Sequence, residues 1–137
     1  IMEYNLDNKY TFWYHSIKNN KWDKNSYIKI FDIKNLFDYK LLSQILKKKH
    51  LQNGMFFIMK DNIFPNWEDP DNRNGGCLSF KISSIHVKEQ WDELFLFFIY
   101  NHLNNVNGIS ISPKKEFNII KIWIKDDDSN YKIKEIN

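Results

Sequence analysis

The second half of the chain alternates between apolar and polar residues with the two-residue period of a β-strand. Over residues 77–82, one face carries leucine, phenylalanine and isoleucine, whereas the other carries cysteine, serine and Lys81. The same period recurs over residues 109–114 and 119–124, where isoleucines share one face and the other bears serine, Lys114, Lys121 and Trp123. Three strands of this kind predict an antiparallel sheet that is covered on one side and wet on the other.

Two segments with helical spacing are predicted to cover the apolar side. The first begins at Asp32, a residue type that favours the N-cap position, and runs to about Lys48. Its apolar positions are Ile33, Leu36, Phe37, Leu41 and Ile45. The second helix opens at Ser84 or His86 and runs to about residue 101, with Trp91 on its apolar stripe. Further strands are predicted over residues 10–15, 26–31 and 55–60, with a closing strand over residues 131–136.

These elements predict an α+β fold in a single domain that comprises residues 1–137. A curved antiparallel sheet would pack helices on its convex face and keep its concave face polar. Trp123 lies on that polar face among serines and lysines, and filling a core does not explain a tryptophan there. The concave face is therefore the predicted binding surface.

Composition narrows the class of protein. A hydrophobic fraction of 42% argues against disorder, and a net charge of +3 is compatible with a polyanionic partner without establishing one. Cys77 is the single cysteine, so no internal disulfide can form and a reducing, cytoplasmic compartment is expected. No apolar run is long enough to cross a bilayer. No spacing of His, Cys or carboxylates is typical of a metal site, so neither a metal nor a cofactor is expected.

The segment Asn66-Trp67-Glu68-Asp69 is the strongest candidate for a binding site. Trp67 places a flat π face beside the carboxylate of Glu68. That pair suits a flat, cationic ligand with N–H donors on its edge, such as a 7-methylguanine base. Because Trp-Glu occurs in many surface loops, the pair needs a second aromatic side chain and some phosphate-binding charge. Trp22, in a polar loop over residues 18–25, is the candidate second aromatic, with Tyr27 as its rival.

Several stretches resemble the eukaryotic messenger-RNA cap-binding family, initiation factor 4E, along most of the chain. They are residues 10–15 (Tyr-Thr-Phe-Trp-Tyr-His), residues 64–69 (Phe-Pro-Asn-Trp-Glu-Asp) with Asn72 and Gly75-Gly76, the pair Asn107-Gly108, and residues 119–123 (Ile-Ile-Lys-Ile-Trp). The loop around Trp67 with its double glycine is highly specific. Residues 10–15 and the pair Ile119-Ile120 are closest to the repressor-type branch, the 4E-homologous proteins.

The resemblance implies how a cap base would be bound. Trp22 and Trp67 would sandwich the methylated guanine. Glu68 would accept hydrogen bonds from N1–H and the exocyclic amine, and the backbone N–H of Trp67 would donate to the base carbonyl. Trp123 would pack against the N7-methyl group.

The phosphate half of the site departs from the family. The family places three basic residues along the triphosphate, and Lys114 matches one of them. Cys77 and Ile119 occupy the other two positions. Lys81 and Lys121 lie on the concave face by alternation and are expected to hold the phosphates from shifted positions, as point charges.

The partner face departs further. In the family, three apolar positions bind a Tyr-x-x-x-x-Leu helix of a scaffold protein of the initiation-factor 4G type or of an inhibitor. Those positions read Lys34, Asp38 and Asp92 here. Either a shifted helix register brings Leu36 and Tyr39 outward or the surface is lost or rewired, and a changed partner specificity is expected. Only fourteen residues follow Trp123, which is fewer than is usual in the family.

The predicted function is therefore that of a cap-binding translation initiation factor without catalytic activity, whose ligand is capped messenger RNA and neither DNA nor a membrane. The first alternative is a cap-binding repressor or decoy that does not engage the usual scaffold. A hydrolase acting on nucleotide caps would need a metal-binding carboxylate cluster or a general base near Trp67, and Glu68 alone does not make one. A general single-strand RNA binder that uses exposed aromatics as stacking platforms is the remaining alternative.

Overall fold

Six antiparallel strands form one curved sheet in the computed structural model, which describes residues 5–126. The strands are β1 (Asn5–His15), β2 (Tyr27–Asn35), β3 (Met55–Lys60), β4 (Gly76–Ser83), β5 (Val106–Pro113) and β6 (Phe117–Ile124). Their order across the sheet is β2-β1-β3-β5-β6-β4, and each neighbouring pair is antiparallel. This confirms the predicted α+β class, whereas the closing strand predicted over residues 131–136 lies outside the described residues.

Helices cover the convex face of the sheet. They are α1 (Leu36–Ile45), α2 (Lys48–Leu51) and α3 (Val87–Ile99), and a 3-10 turn (Lys24–Ser26) precedes β2. Trp91 and Phe95 of α3 are fully buried in one core with the isoleucines of β3, β5 and β6 that alternate toward this side. The predicted second helix agrees with α3, since His86 is its N-cap. No helix in the described part of the chain is long and apolar enough to span a membrane.

The predicted start of the first helix is wrong. Asp32 and Ile33 belong to β2: Ile33 pairs with Tyr10 of β1 and is fully buried, and the Asp32 carboxylate accepts a hydrogen bond from the Thr11 hydroxyl at 3.0 Å. The helix starts at Leu36, after Asn35, whose side-chain oxygen accepts a hydrogen bond from the Asp38 backbone N–H at 2.9 Å. That N-cap satisfies a backbone donor that the first helical turn leaves free.

The later start also changes which face of α1 meets the core. Leu42 and the following Leu46 are buried, whereas Phe37 is 62% exposed and Ile45 is exposed as well. Phe37, Leu41 and Ile45 are spaced four residues apart, so they lie along one outward side of the helix. The predicted apolar stripe of this helix is therefore turned partly to the surface.

The concave face is polar only in part. On β5 and β6 it carries serines and Lys121, as the alternation predicts. On the β1–β3 side it holds a second small cluster, in which Tyr27, Phe57 and Met59 are buried and Trp13 and Phe64 pack against them. The rings of Trp13 and Phe64 meet edge to face with 5.0 Å between their centroids. The concave face, which was predicted to be polar, is therefore apolar on its β1–β3 side.

Candidate functional site

The four residues predicted to bind a base line one open cleft of about 500 Å³ on the concave side of the sheet: Trp22, Trp67, Glu68 and Trp123. The Trp67 side chain is 71% exposed and that of Trp22 is 49% exposed. Tryptophan is usually largely buried, so two indole rings left open on one cleft are available to stack on a flat ligand.

Local hydrogen bonds shape the loop that presents Trp67 and Glu68. The Asp69 carboxylate accepts from the backbone N–H groups of Phe64 at 2.9 Å and Asp71 at 2.8 Å. The Asp69 N–H in turn donates to the Asn66 side-chain oxygen at 3.0 Å. Such side chain to backbone bonds hold a turn without help from a sheet. Because these bonds close on either side of residues 67 and 68, the two side chains project from a braced apex.

Two buried asparagines fix this loop to the sheet. The Asn72 amide donates to the carbonyl oxygens of Phe64 at 3.0 Å and Asn66 at 2.8 Å. The Asn107 amide of β5 donates to the Asn72 side-chain oxygen at 2.9 Å and to the Asp71 carbonyl oxygen at 2.7 Å. Asn72 and Asn107 were recognised in the sequence as motif residues without a role. In the structure they join the Trp67 loop to the middle of the sheet.

Trp123 forms part of the cleft floor. It is half-buried on β6, and its Nε1–H donates to the Ser110 hydroxyl at 3.1 Å. Its ring meets that of Phe57 edge to face with 6.2 Å between centroids. Ser110 and Phe57 line the cleft but were not predicted as site residues. Strand register could have revealed them, because Phe57 pairs with Ser110, and Ser110 pairs with Lys121.

The two rival stacking residues have different surroundings. The Trp22 ring lies parallel to that of His15, with 4.0 Å between centroids and 8° between planes. Tyr27 is buried, and its ring meets those of His15 and Phe57 edge to face. Burial, with a smaller contribution from the Glu68 charge, raises the pKa of Tyr27 to about 12. Tyr27 is therefore a neutral wall residue, and Trp22 is the one that leaves a ring face open.

The predicted phosphate-binding residues are not all brought together. Lys121 lines the cleft, in register with Ser110 on one side and Ser79 on the other. Lys114 is exposed just beyond β5, and neither it nor Lys81 is among the lining residues. The Lys81 ammonium lies 4.3 Å above the centroid of the Phe117 ring.

Two further residues at the cleft bear on its charge. Arg73, the only arginine of the chain, lines the cleft and donates from Nε to the Glu68 carbonyl oxygen at 2.9 Å. It was not predicted as a site residue, although its place inside the Trp67 loop was a usable signal. Cys77 also lines the cleft; burial raises the pKa of its thiol, and the Lys121 charge opposes that shift. Within residues 5–126, no three His, Cys, Asp or Glu side chains are grouped so that they could hold a metal ion.

On the convex side, the two residues predicted for partner binding are only half exposed. Leu36 lies at the start of α1, and Tyr39 packs edge to face on Phe95 at 4.7 Å. The Tyr39 hydroxyl donates to the Asp92 carbonyl oxygen at 2.9 Å, and the Asp92 carboxylate is paired with Lys88 at 3.0 Å. This part of the surface is therefore tied up in internal contacts.

Residues 5–137 match the protein family described as eukaryotic initiation factor 4E. The chain belongs to this family. It is 22% identical to eukaryotic translation initiation factor 4E-1 of Caenorhabditis elegans over 143 aligned positions, and 27% identical to eukaryotic translation initiation factor 4E1 of Drosophila melanogaster over 145. These alignments cover 95% and 99% of the chain, but only 68% and 56% of the two relatives.

Solved structures of initiation factor 4E proteins share the fold. The schistosome protein complexed with m7GpppA and 4E-BP aligns with a TM-score of 0.85 at 19% identity, covering 99% of this chain and 79% of that one. Ascaris suum eIF4E-3 with m7G cap aligns with a TM-score of 0.79 at 18% identity, covering 91% of this chain and 75% of that one. At such sequence identities the structural similarity establishes the common fold only. The ligand of this chain has to be inferred from its own residues.

Proposed function

We propose that this protein binds the 7-methylguanosine cap of messenger RNA and acts in cap-dependent translation initiation in the cytoplasm, as a binding module without catalytic chemistry. The observation that carries the proposal is the meeting of Trp22, Trp67 and Glu68 on one cleft, with both indole rings exposed. Membership of the initiation factor 4E family supports it. So does the cap bound to the schistosome and Ascaris proteins that share the fold.

Each of the cleft residues has a chemical role in this proposal. Methylation at N7 makes guanine cationic, so stacking between Trp22 and Trp67 adds a cation–π contribution of about 1–2 kcal/mol to the contact area. The Glu68 carboxylate accepts from N1–H and the exocyclic amine, and hydrogen bonds to an ionised acceptor are the stronger kind. Trp123 supplies an apolar surface for the methyl group, since its own N–H is already satisfied by Ser110.

The first test compares methylated and unmethylated GTP. Binding of 7-methyl-GTP should quench tryptophan fluorescence, and GTP should bind roughly five to thirty times more weakly because the cation–π contribution is lost. Glu68→Gln keeps the shape of the side chain but removes its charge, and should weaken binding of 7-methyl-GTP by roughly tenfold to a hundredfold. Glu93→Gln, an exposed carboxylate on α3, is the matched control. Absence of quenching in the wild type would refute the proposed function.

For the phosphates, we propose Lys121 as the principal contact, with Lys114 and Lys81 placed to meet more distant phosphates. Lys121→Ala should weaken 7-methyl-GTP binding and reduce the slope of log affinity against log salt, because one charged contact to the phosphates is lost. Its affinity for the 7-methylguanosine nucleoside should be unchanged. Lys81→Ala should have a smaller effect, and Lys48→Ala, on α2, none. If binding by Lys121→Ala depended on salt as strongly as binding by the wild type, Lys121 would not be a phosphate contact.

We further propose that the convex side binds a scaffold protein of the initiation-factor 4G type or an inhibitor, with altered specificity. Similar structures include the schistosome protein with 4E-BP and C. elegans eIF4E-3 with the 4E-binding protein Mextli. Lys34, Asp38 and Asp92 make the corresponding surface of this chain charged, and Leu36 and Tyr39 are the apolar residues next to it. Covering charged side chains with an apolar helix is costly even where they have partners of their own, so a partner of this chain is expected to carry complementary charge.

A further inference from the structure

The last residue of β1, His15, makes two contacts that a single neutral ring cannot both satisfy. Its side chain is fully buried. Nδ1 lies 2.9 Å from the Ser16 carbonyl oxygen, and Nε2 lies 2.8 Å from the Lys21 carbonyl oxygen. A neutral imidazole carries one N–H donor, and its other nitrogen is an acceptor. A neutral ring would therefore point a lone pair at one of the two oxygens, whereas the imidazolium donates to both with charge-assisted bonds.

The two carbonyl groups belong to opposite ends of one loop. Ser16 opens the segment 16–21, and Lys21 closes it immediately before Trp22. The same His15 ring lies flat under the Trp22 indole at 4.0 Å. The His15 side chain therefore bonds to both ends of the loop 16–21. It also stacks against Trp22, which follows the loop and lines the cleft.

We propose that His15 is a positioning residue of the ligand site: its doubly protonated ring clamps the loop 16–21 and holds Trp22 in place for stacking, so that ligand affinity is linked to one proton on His15. This rests on the proposed cap-binding function. The residue does not touch the ligand, and it acts through Trp22.

The groups around the ring leave His15 as the one that changes charge. From β2, Tyr27 faces it edge on and stays neutral near physiological pH, its pKa being about 12. From β3 the register partner is Met55, which does not titrate. The neighbouring loop carries exposed Lys21, Asp23 and Lys24, and none of the described residues forms an ion pair with the ring.

The sign of the effect follows from which form binds. The protonated ring holds both carbonyl groups, so affinity is highest at low pH and falls as the ring loses its proton. Loss of one hydrogen bond from the clamp should lower affinity roughly threefold to tenfold.

The experiment measures 7-methyl-GTP affinity from about pH 6 to about pH 8 for the wild type and for His15→Phe, which keeps a stacking ring but has no N–H. The N1 proton of the base also titrates in this range, but it contributes equally to both proteins. The wild-type affinity divided by the His15→Phe affinity therefore reports the effect of His15 alone. This ratio should fall about threefold to tenfold from the low to the high pH. His102→Phe, at an exposed histidine beyond α3, should give a constant ratio. A constant ratio for His15→Phe, or one that rises with pH, overturns the proposal.

A second measurement on the unaltered free protein covers the case in which His15→Phe does not fold. Nitrogen-15 spectra of the His15 ring should show both nitrogens protonated at the lower pH of the affinity series and one protonated at the higher pH. A ring with one bare nitrogen at the lower pH overturns the proposal. These spectra need no ligand, so failure of 7-methyl-GTP to bind the wild type would refute the proposed function while the protonation of His15 is still decided.

Discussion

Trp67→Ala should weaken binding of 7-methyl-GTP by at least about thirtyfold. The change removes one wall of the stack, which is expected to lose about 1–3 kcal/mol of base stacking and about 1–2 kcal/mol of cation–π attraction. The two contributions together are about 2–5 kcal/mol, which corresponds to about thirtyfold or more in the dissociation constant. The fold should be unaffected, because the Trp67 side chain is 71% exposed and the loop is braced by Asp69 and Asn72 rather than by the indole.

The measurement is a fluorescence or calorimetric titration of both proteins, together with their melting temperatures. Phe37→Ala is the matched control, since this aromatic side chain is 62% exposed on α1, on the other side of the sheet. It should leave ligand affinity unchanged. Retention of wild-type affinity by Trp67→Ala would mean that the exposed indole is not a stacking surface.

Gly75→Ala should destabilise the protein strongly, whereas Gly76→Ala should be nearly neutral. A Cβ at Gly75 would stand 1.7 Å from the Ile124 carbonyl oxygen and 2.7 Å from the Ile124 carbonyl carbon. Both are backbone atoms at the end of β6, so they cannot rotate away as a side chain would. Overpacking of this kind typically costs 1–3 kcal/mol, and a cost of about 2 kcal/mol or more is expected here. A Cβ at Gly76 would meet nothing within 4 Å.

Urea unfolding of the two variants and the wild type tests this pair. Ligand affinity, like stability, should fall in the Gly75→Ala variant and not in the Gly76→Ala variant. The displaced backbone borders the pairs of Gly76 with Ile124 and of Cys77 with Trp123, so the shift moves the cleft floor relative to the Trp67 loop. Equal stability of the two alanine variants would contradict the close approach of the chain at Gly75.

Much of the sheet was predictable because its strands are half-buried. In β4 and β6 each residue belongs to one of two unlike faces, so the apolar period of two is visible in the sequence. The helix α3 was equally plain, since Trp91, Phe95 and Phe98 repeat at helical spacing and all three are buried.

The failure at Asp32 has a physical cause. Ile33 satisfies a helical spacing with Leu36 and Phe37 and also the alternation of a strand, and residues 30–35 contain no Gly or Pro to mark a boundary. Ile33 lies in a strand because it pairs with Tyr10, some twenty residues earlier in the chain. A local pattern cannot contain that information.

The candidate site also has a part that a local pattern predicts and a part that depends on contacts between separate segments. Trp67 and Glu68 are adjacent in the chain, so the motif alone predicts that they act together. Trp22 reached the site by resemblance, but its support by His15 joins residues whose relation depends on the loop between them. The place of Arg73 inside the Trp67 loop was visible in the sequence, but its bond to the Glu68 carbonyl group was not, since no sequence spacing encodes such a bond.

The asparagine pair gives the two walls of the cleft unequal freedom. Through Asn107, the wall that carries Trp67 shares the rigidity of the central strand β5, and a ligand has little there to order. The opposite wall is held by contacts within residues 15–22, namely those of the His15 ring and the bond from the Lys21 N–H to the Asn19 side-chain oxygen at 2.9 Å. If the ligand stacks between the two indole rings as proposed, the residues that it has to order are therefore expected to lie in residues 16–22 rather than in the Trp67 loop.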